Sequence, residues 1–470
     1  MKKRSRNILI VLLSIFIVLG GFAGYGVYRL YKIFNYVARE PEIPAEIKEP
    51  RVLTGGDFLT KKELFKLDRS GTLETIGKSA GIKDKEEREK FVRQRTARNI
   101  YNFSDIKVIG YEIIAVGEFG AFVFELNGNL KHEVAFDLVN EKFKLGPYES
   151  DNYQLDLDNI RIVRLDADEY GFLSFGSMQG ARVFDRKGHQ IWAYAKEDLD
   201  LSLLGQDEKK LSEKMDKSTY VLEAAVGDLD NDGVSEYIVA RKNDGIHAFD
   251  REGNEKWFQP QEFPSDRLEV LDLDGDGTNE LLQLGENVRS GVDGKIIREM
   301  SGKFDDTFLL SEDKKKKPVM LSCDVDKMTF TCVDEKGDTF FQGPAPLNEL
   351  KSAQPTPEPQ PTSTPIYFDD GTAAAPMDSG SGTYIETESI YRPRAVWVSL
   401  KKDKPKYLAV VGSYITIPRA NLYIYAPDGT LVYHELLPEE AETVAVLPGA
   451  NGIEELLVGG KDTIWKYGRS

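Results

Sequence analysis

Two short stretches carry the acids most suited to chemistry. They are Asp228-Leu229-Asp230-Asn231-Asp232-Gly233-Val234-Ser235-Glu236 and Asp272-Leu273-Asp274-Gly275-Asp276-Gly277-Thr278-Asn279-Glu280. Both follow D-x-D-x-D-G-x-x-E, and they start 44 residues apart. Alternate acids on a tightly curled loop point inward together, and the Gly after the third Asp permits the sharp turn. Calcium takes six to eight oxygens at about 2.3–2.6 Å, which suits such a loop. The spacing assigns side-chain ligands Asp228, Asp230, Asp232 and Glu236 with the carbonyl of Val234. In the second loop it assigns Asp272, Asp274, Asp276 and Glu280 with the carbonyl of Thr278. Four clustered carboxylates repel one another without a cation. The alternative is a solvated acidic turn, but an Asp-Gly turn accounts for one acid, not four in register.

An EF-hand is excluded on two grounds. Its loop closes with Glu at the twelfth position, where this chain has Val239 and Gln283. Its flanks are helical, whereas Ala224-Ala225-Val226 and Tyr237-Ile238-Val239 read as strands. Each loop therefore joins two strands.

The strands around the loops belong to a repeat. From about residue 102, short β-branched and aromatic runs alternate with Gly, Asp and Asn turns. One phrase recurs: a strand ending in Phe-Asp or similar, an x-Gly-x turn, then a strand that often carries an aromatic residue. It runs Phe184-Asp185-Arg186-Lys187-Gly188-His189 before Trp192, and Phe249-Asp250-Arg251-Glu252-Gly253-Asn254 before Trp257. Its other copies turn at Gly128, Gly294, Gly337 and Gly429. Gly253, Gly294 and Gly337 are spaced by 41 and 43 residues, the length of a four-stranded propeller blade at about 40–45. Wider spacings elsewhere call for insertions. A β-solenoid or a set of sandwiches would not repeat one turn phrase at this period. The fold class expected is all-β, a seven-bladed β-propeller over 101–470, with six or eight blades as alternatives. A partial last blade would be completed by a strand near 105–111, which closes the ring and removes edge strands. The tryptophans are expected to pack between blades.

Here a resemblance becomes visible. Gly227-Asp228-Leu229-Asp230-Asn231-Asp232-Gly233 followed by Glu236-Tyr237-Ile238-Val239-Ala240 resembles the FG-GAP/VCBS repeat family of calcium-loop β-propellers, whose blades integrin α-subunit heads also use. The resemblance is strong over 222–300, weaker over 105–470, and absent from 1–100. It implies calcium in loops between the first and second strands of a blade. Asp166-Ala167-Asp168-Glu169 and Asn451-Gly452-Ile453-Glu454 keep only parts of the pattern, and no calcium is assigned to them.

The rest of the chain places this body. Lys2, Lys3, Arg4 and Arg6 in the tail 1–7 precede an uncharged run over 8–28; about 20 such residues span a bilayer as a helix. The basic cluster predicts a cytoplasmic N-terminus and an extracytoplasmic remainder, periplasmic or at the cell surface. The run is read as a single-pass signal-anchor, with a cleaved signal peptide as the rival. Residues 29–100 read as a Pro-containing stalk and linker, with a charged helix over 84–99. A Pro/Ser/Gly-rich insertion over 344–390 cannot bury a core and is expected to be disordered. The net charge of −17 disfavours nucleic acid as a partner. Cys323 and Cys332 flank a short polar turn; a cross-strand disulfide and two small buried thiols are both open readings.

Catalytic signals are weak. His132, His189, His247 and His434 fall in separate units without metal spacing, and no nucleophile elbow, zinc-protease or phosphate-loop motif occurs. The reading is a membrane-anchored calcium-binding propeller that acts as a binding or scaffolding module for a protein or glycan partner. The alternative is an enzyme on the same ring, a polysaccharide lyase or a quinoprotein-type oxidoreductase. A lyase would need a basic residue, for example Arg241, beside a calcium site.

Overall fold

A computed structural model describes residues 51–68, scattered positions from 71 to 89, most of 103–194 and of 221–299, the strands between 308 and 344, and most of 390–469. The expected anchor at 8–28, the stretch 345–389 and most of 84–99 lie outside the described residues. Among the described residues no helix is long and apolar enough to cross a membrane.

The chain is an all-β propeller. Among the described residues, seven antiparallel sheets of four or five strands follow one another. Their first strands are Asp105–Ile109, Arg161–Arg164, Val221–Gly227, Leu268–Leu271, Phe308–Leu309, Ile390–Val398 and Ala441–Pro448. First strands touch from the first sheet through to the fourth, from the fifth through to the seventh, and from the seventh back to the first. A small hairpin, Phe143–Leu145 with Tyr148–Ser150, is inserted between the first two sheets. It accounts for part of the wide spacing between Gly128 and Gly188.

The recurrent phrase is the hairpin between the third and fourth strands. In the third sheet, Gly253 N donates to Asp250 O at 3.0 Å, and Asp250 N donates to Asn254 O at 2.9 Å. The Asp250 carboxylate accepts from Asn254 N at 2.7 Å, which locks the turn. Gly253 adopts φ +87°, a left-handed conformation that suits glycine. The next residues are bulged: Phe249 pairs with Glu255 and Ala248 with Trp257, so Lys256 is the extra residue.

The aromatic residue after the turn joins one sheet to the next, as expected. Trp192 is buried with its ring 4.6 Å from that of Tyr237 in the third sheet. Trp257 Nε1 donates to Gly291 O in the fourth sheet at 2.8 Å. A Cβ added to Gly294 would lie 2.6 Å from the Trp257 ring. That turn therefore needs glycine for space as well as for its φ of +70°. Apolar clusters run across these junctions. One joins Leu173, Val183 and Trp192 to Ala224, Tyr237 and Val239; another joins Ile238, Ala248 and Trp257 to Leu268 and Leu281.

Ring closure differs from the expected one. Asp105–Ile109 is not the completing strand; it opens the first sheet by pairing with Glu112–Gly117. The seventh sheet, Ala441–Pro448, Glu454–Gly460 and Thr463–Arg469, takes its fourth strand from Leu59–Lys66. Arg51–Thr54 adds a fifth strand to the sixth sheet alongside Leu431–Leu436. Strands within 51–66, inside the stretch expected to be stalk, thus belong to the propeller. The seventh and first sheets share a core of Ala445, Leu447, Leu457 and Ile464 with Ile113, Ala115, Phe122 and Phe124. Lys61 ties the closing strand to the sixth sheet through Glu435 at 2.8 Å.

The cysteines do not face each other. Cys323 is paired with Phe330 and Cys332 with Leu321, so the two are offset by two positions. Diagonal strand neighbours lie about 7–8 Å apart, beyond the usual Cα separation of a disulfide. Cys332 is a free, buried thiol, and burial pushes its pKa up to about 12.

The closing strand gives a direct test. A body beginning at residue 51 should unfold in one cooperative transition. A body beginning at residue 101 leaves Thr463–Arg469 as an open edge and should aggregate or lose that transition. Size-exclusion chromatography and thermal unfolding of the two proteins check this.

Candidate functional site

Both acidic loops connect the first and second strands of their sheets. The first links Val221–Gly227 to Glu236–Arg241, and the second links Leu268–Leu271 to Glu280–Gln283. Their internal bonding repeats. The Asp228 carboxylate accepts from Asp232 N at 3.1 Å and Gly233 N at 3.0 Å; Asp272 accepts from Gly277 N at 3.1 Å. Asp232 accepts from Val234 N at 2.8 Å, and Asp276 from Thr278 N at 2.7 Å. Glu236 accepts from Leu229 N and Glu280 from Leu273 N, both at 2.7 Å. Gly233 and Gly277 have φ +90° and +93°.

Carboxylate oxygens of Asp228, Asp230 and Glu236 come within 4.8 Å of one another. Glu236 is buried. Burial raises its pKa, against the pull of its bonds to Lys256 and Leu229 N. Asp230 Oδ1 is shut off from solvent and has no hydrogen-bond partner. This orphaned oxygen beside two further carboxylates fits a bound cation. Asp232 is exposed and does not belong to that group of three; Val234 is exposed as well. In the second loop, Asp272, Asp276, Thr278 and Glu280 hold the places described above, while Asp274 lies outside the described residues.

The sequence reading missed Lys256. The bulge after the turn aims this residue back across the sheet, and its Nζ bonds Glu236 Oε1 at 2.9 Å and Asp230 Oδ2. Burial works against the charged ammonium, yet these two hydrogen bonds outweigh it and raise its pKa. The matching bulge in the fourth sheet, between the pairs Val288–Arg298 and Arg289–Ile296, holds Ile297. The second loop therefore receives no ammonium from that position. In the first sheet the bulge holds Lys131, which pairs with Glu112 at 2.5 Å. There a tight turn replaces the acidic loop, with Ile109 paired to Glu112. A lysine in the bulge is thus a structural partner for the first acid of the second strand, and in the third sheet it also reaches the loop.

The loops bind neighbouring sheets together. Asp166 of the second sheet's loop forms a bridge with Val234. Ser235 Oγ donates to Arg164 O at 3.3 Å. Asn279 of the second loop donates to Asp228 O of the first. Arg241 is remote from this site: it ends the strand that Glu236 begins, and it pairs with Asp244 at 2.5 Å. His247, to which the sequence assigned no role, sits between Glu255 at 2.9 Å and Asp244 at 3.0 Å, stacked on Phe258.

No protein-family model and no curated protein sequence matches the chain. Among solved structures, it is similar to a streptogramin B lyase at 10% identity and TM-score 0.45, over 88% of this chain and 98% of that one. It is also similar to BBS1N in complex with ARL6DN at 9% identity and TM-score 0.42, over 79% and 93%. The Neurospora crassa Pan2 WD40 domain matches at 12% identity and TM-score 0.41, over 78% and 89%. Likeness of this size assigns neither ligand nor partner to this chain.

Lys256 supplies the test of the first loop. In a protein whose second loop is disabled by Asp272→Asn, Lys256→Met should bind calcium at least tenfold more tightly than the protein that keeps Lys256. Calorimetric titration measures both. The gain arises because the ion no longer displaces a tethered ammonium; tenfold corresponds to about 1.4 kcal/mol.

Proposed function

We propose that this protein is a seven-bladed, calcium-holding propeller, tethered to a membrane by residues 8–28, that displays its body outside the cytoplasm as a binding or scaffolding module for a protein or glycan partner. The observation that carries this reading is the repetition of one loop geometry in adjacent sheets. Equivalent backbone amides are caught by Asp228 and Asp272, by Asp232 and Asp276, and by Glu236 and Glu280. A generic acidic turn has no reason to bury its last carboxylate twice at the same register, as happens at Glu236 and Glu280.

Calcium in this reading is a brace. Asp272, Asp276, Glu280 and the carbonyl of Thr278 would hold it in the fourth sheet, joined by Asp274. Asp228, Asp230 and Glu236 would hold it in the third sheet when Lys256 withdraws. The first loop is bonded to the second sheet, and the second loop to the first. An ion in either loop therefore stiffens the second to fourth sheets together, and stiff loops make a fixed surface for a partner. The basic tail and apolar run over 1–28 supply the attachment. Arg241, one candidate for the basic residue that a lyase would need beside the loops, stands at the opposite end of its strand, and Lys256, which does stand there, is engaged with Asp230 and Glu236, so the binding reading is kept ahead of the enzymatic one.

The test is thermal unfolding with calcium and with a chelator. Calcium at a hundred times its dissociation constant should stabilise the protein by about 2.7 kcal/mol, seen as a rise in the midpoint. Asp272→Asn with Asp276→Asn should abolish most of the rise. An unchanged midpoint in the wild-type protein would remove calcium from the account.

A further inference from the structure

The face that carries the acidic loops also carries a basic one. Each sheet repeats one strand order, so the first-to-second strand connections and the third-to-fourth strand turns all lie at one end of the ring. In the sixth sheet that connection joins Ile390–Val398 to Tyr407–Tyr414 and contains Lys401-Lys402-Asp403-Lys404-Pro405-Lys406. Lys402, Lys404 and Lys406 are exposed, and Asp403 turns the tip at φ +51°. Glu454 of the seventh sheet holds the base of the loop: its carboxylate accepts from Ser399 N at 2.7 Å and meets Lys406 at 3.6 Å. Lys402 and Lys404 have no ion-pair partner among the described residues. In a chain of net charge −17 this run is a local exception.

The order of sheets places this loop relative to two other features. First strands touch in sequence from the sixth sheet through the seventh, first and second to the third. The first sheet is the middle one of these five, equally far round from the basic loop and from the Asp228 loop. Its own first-to-second strand connection is the tight turn between Ile109 and Glu112. Tyr111, in that turn, is 87% exposed, and Ile109 beside it is exposed as well. Tyrosine is enriched near the centres of protein interfaces, where a large ring adds contact area at low entropic cost. On the acidic side, Asp232 is the exposed acid of the first loop and Asp276 that of the second.

Base, aromatic and acid are thus set out symmetrically about the first sheet. Two rings stacked on this face about a two-fold axis through their first sheets bring opposite charges together. Such an axis lays the first sheet on its own copy, the seventh on the second and the sixth on the third. Lys402 and Lys404 of each chain then face the Asp228 loop of the other, and the contact is made twice because a two-fold interface repeats it. Opposite charges facing across an interface fix its register and reject other registers. The N-terminal part of the chain leaves this face clear. Arg51 pairs with Leu436, at the end of the sixth sheet's fourth strand that lies away from the Asp428-Gly429 turn. Residues 1–50 therefore join the body at the opposite face.

We propose that this face binds a second copy of the chain. The two form a two-fold pair in which the Lys401–Lys406 loop of each lies against the Asp228 loop of the other, and Tyr111 packs on its own copy at the axis. The proposal rests on the ring of sheets in the reading above and not on calcium. A second copy fits better than an unrelated acidic protein. An acidic protein would meet the lysine loop alone, whereas a second copy engages base, acid and aromatic at the one spacing that a two-fold axis maps onto itself.

The test is the mass of the full-length protein in detergent, by light scattering after size-exclusion chromatography with a chelator present. Wild-type protein should run at twice the mass of one chain. Lys402→Glu with Lys404→Glu should weaken self-association by about tenfold or more, as should Asp232→Lys with Asp276→Lys, because each sets like charges face to face. Mixing these two variants should restore the pair, since both contacts then join opposite charges again. Tyr111→Cys should be joined to its own copy by a short bis-maleimide that leaves wild-type protein unlinked; this link decides if the acidic-loop variant does not fold. Wild-type protein that stays a single chain at its highest soluble concentration, pairing that survives the lysine reversal, folded variants that do not recover on mixing, or an unlinked Tyr111→Cys protein would overturn the proposal. A single chain whose lysine loop binds polyglutamate would also overturn it, and would give the face to an acidic partner of another kind.

Discussion

Pairing of Leu59–Lys66 with Thr463–Arg469 is the contact on which the rest of the molecule depends. It joins residues about 400 positions apart, from Leu59 with Arg469 to Lys66 with Thr463. Without it the seventh sheet would end in an open edge, a costly and aggregation-prone state. With it the seventh sheet is complete and shares its core with the first. Closure fixes where the first strands converge, and so fixes the row of loops at their far ends. Its own stability is local and apolar: Leu59 packs in the core between the sixth and seventh sheets, and Leu64 and Phe65 pack against that between the seventh and first.

Between sheets, one device recurs. The outer strand of one sheet presses on the hairpin turn of the next, at Trp192 against Gly253, Trp257 against Gly294 and Leu64 against Gly128. The last of these crosses the closure, so the junction between the chain's two ends uses the same contact as the internal ones. This interlock leaves the first-to-second strand loops at the rim, where they are free to carry acids. Two of them do so in the same geometry, and the two differ at the bulge. Lys256 places a tethered ammonium in the first, whereas the matching position in the fourth sheet holds Ile297.

The turns and loops were legible in the sequence because each is a local pattern. Gly253 with Asp250 encodes a turn within five residues, and Asp272 to Glu280 encode a loop within nine. What escaped was non-local. Leu59–Lys66 reads Leu-Thr-Lys-Lys-Glu-Leu-Phe-Lys, and its charges hide the alternation that marks a strand. Lys256 becomes visible only through a bulge that shifts the strand by one residue. The Lys401–Lys406 loop and the acidic loops are separated by more than a hundred residues and share one face only through the ring of sheets. The spacing of the cysteines left a facing pair and two buried thiols both open, and only the register, which sets Cys323 opposite Phe330, decides between them.

The central claim is that the Asp272 loop holds calcium. The most direct measurement is anomalous diffraction from crystals grown with saturating calcium. The account expects a peak among Asp272, Asp274, Asp276 and Glu280, surrounded by six to eight oxygens at about 2.3–2.6 Å. A loop with no anomalous peak, holding only water at saturating calcium, would contradict it.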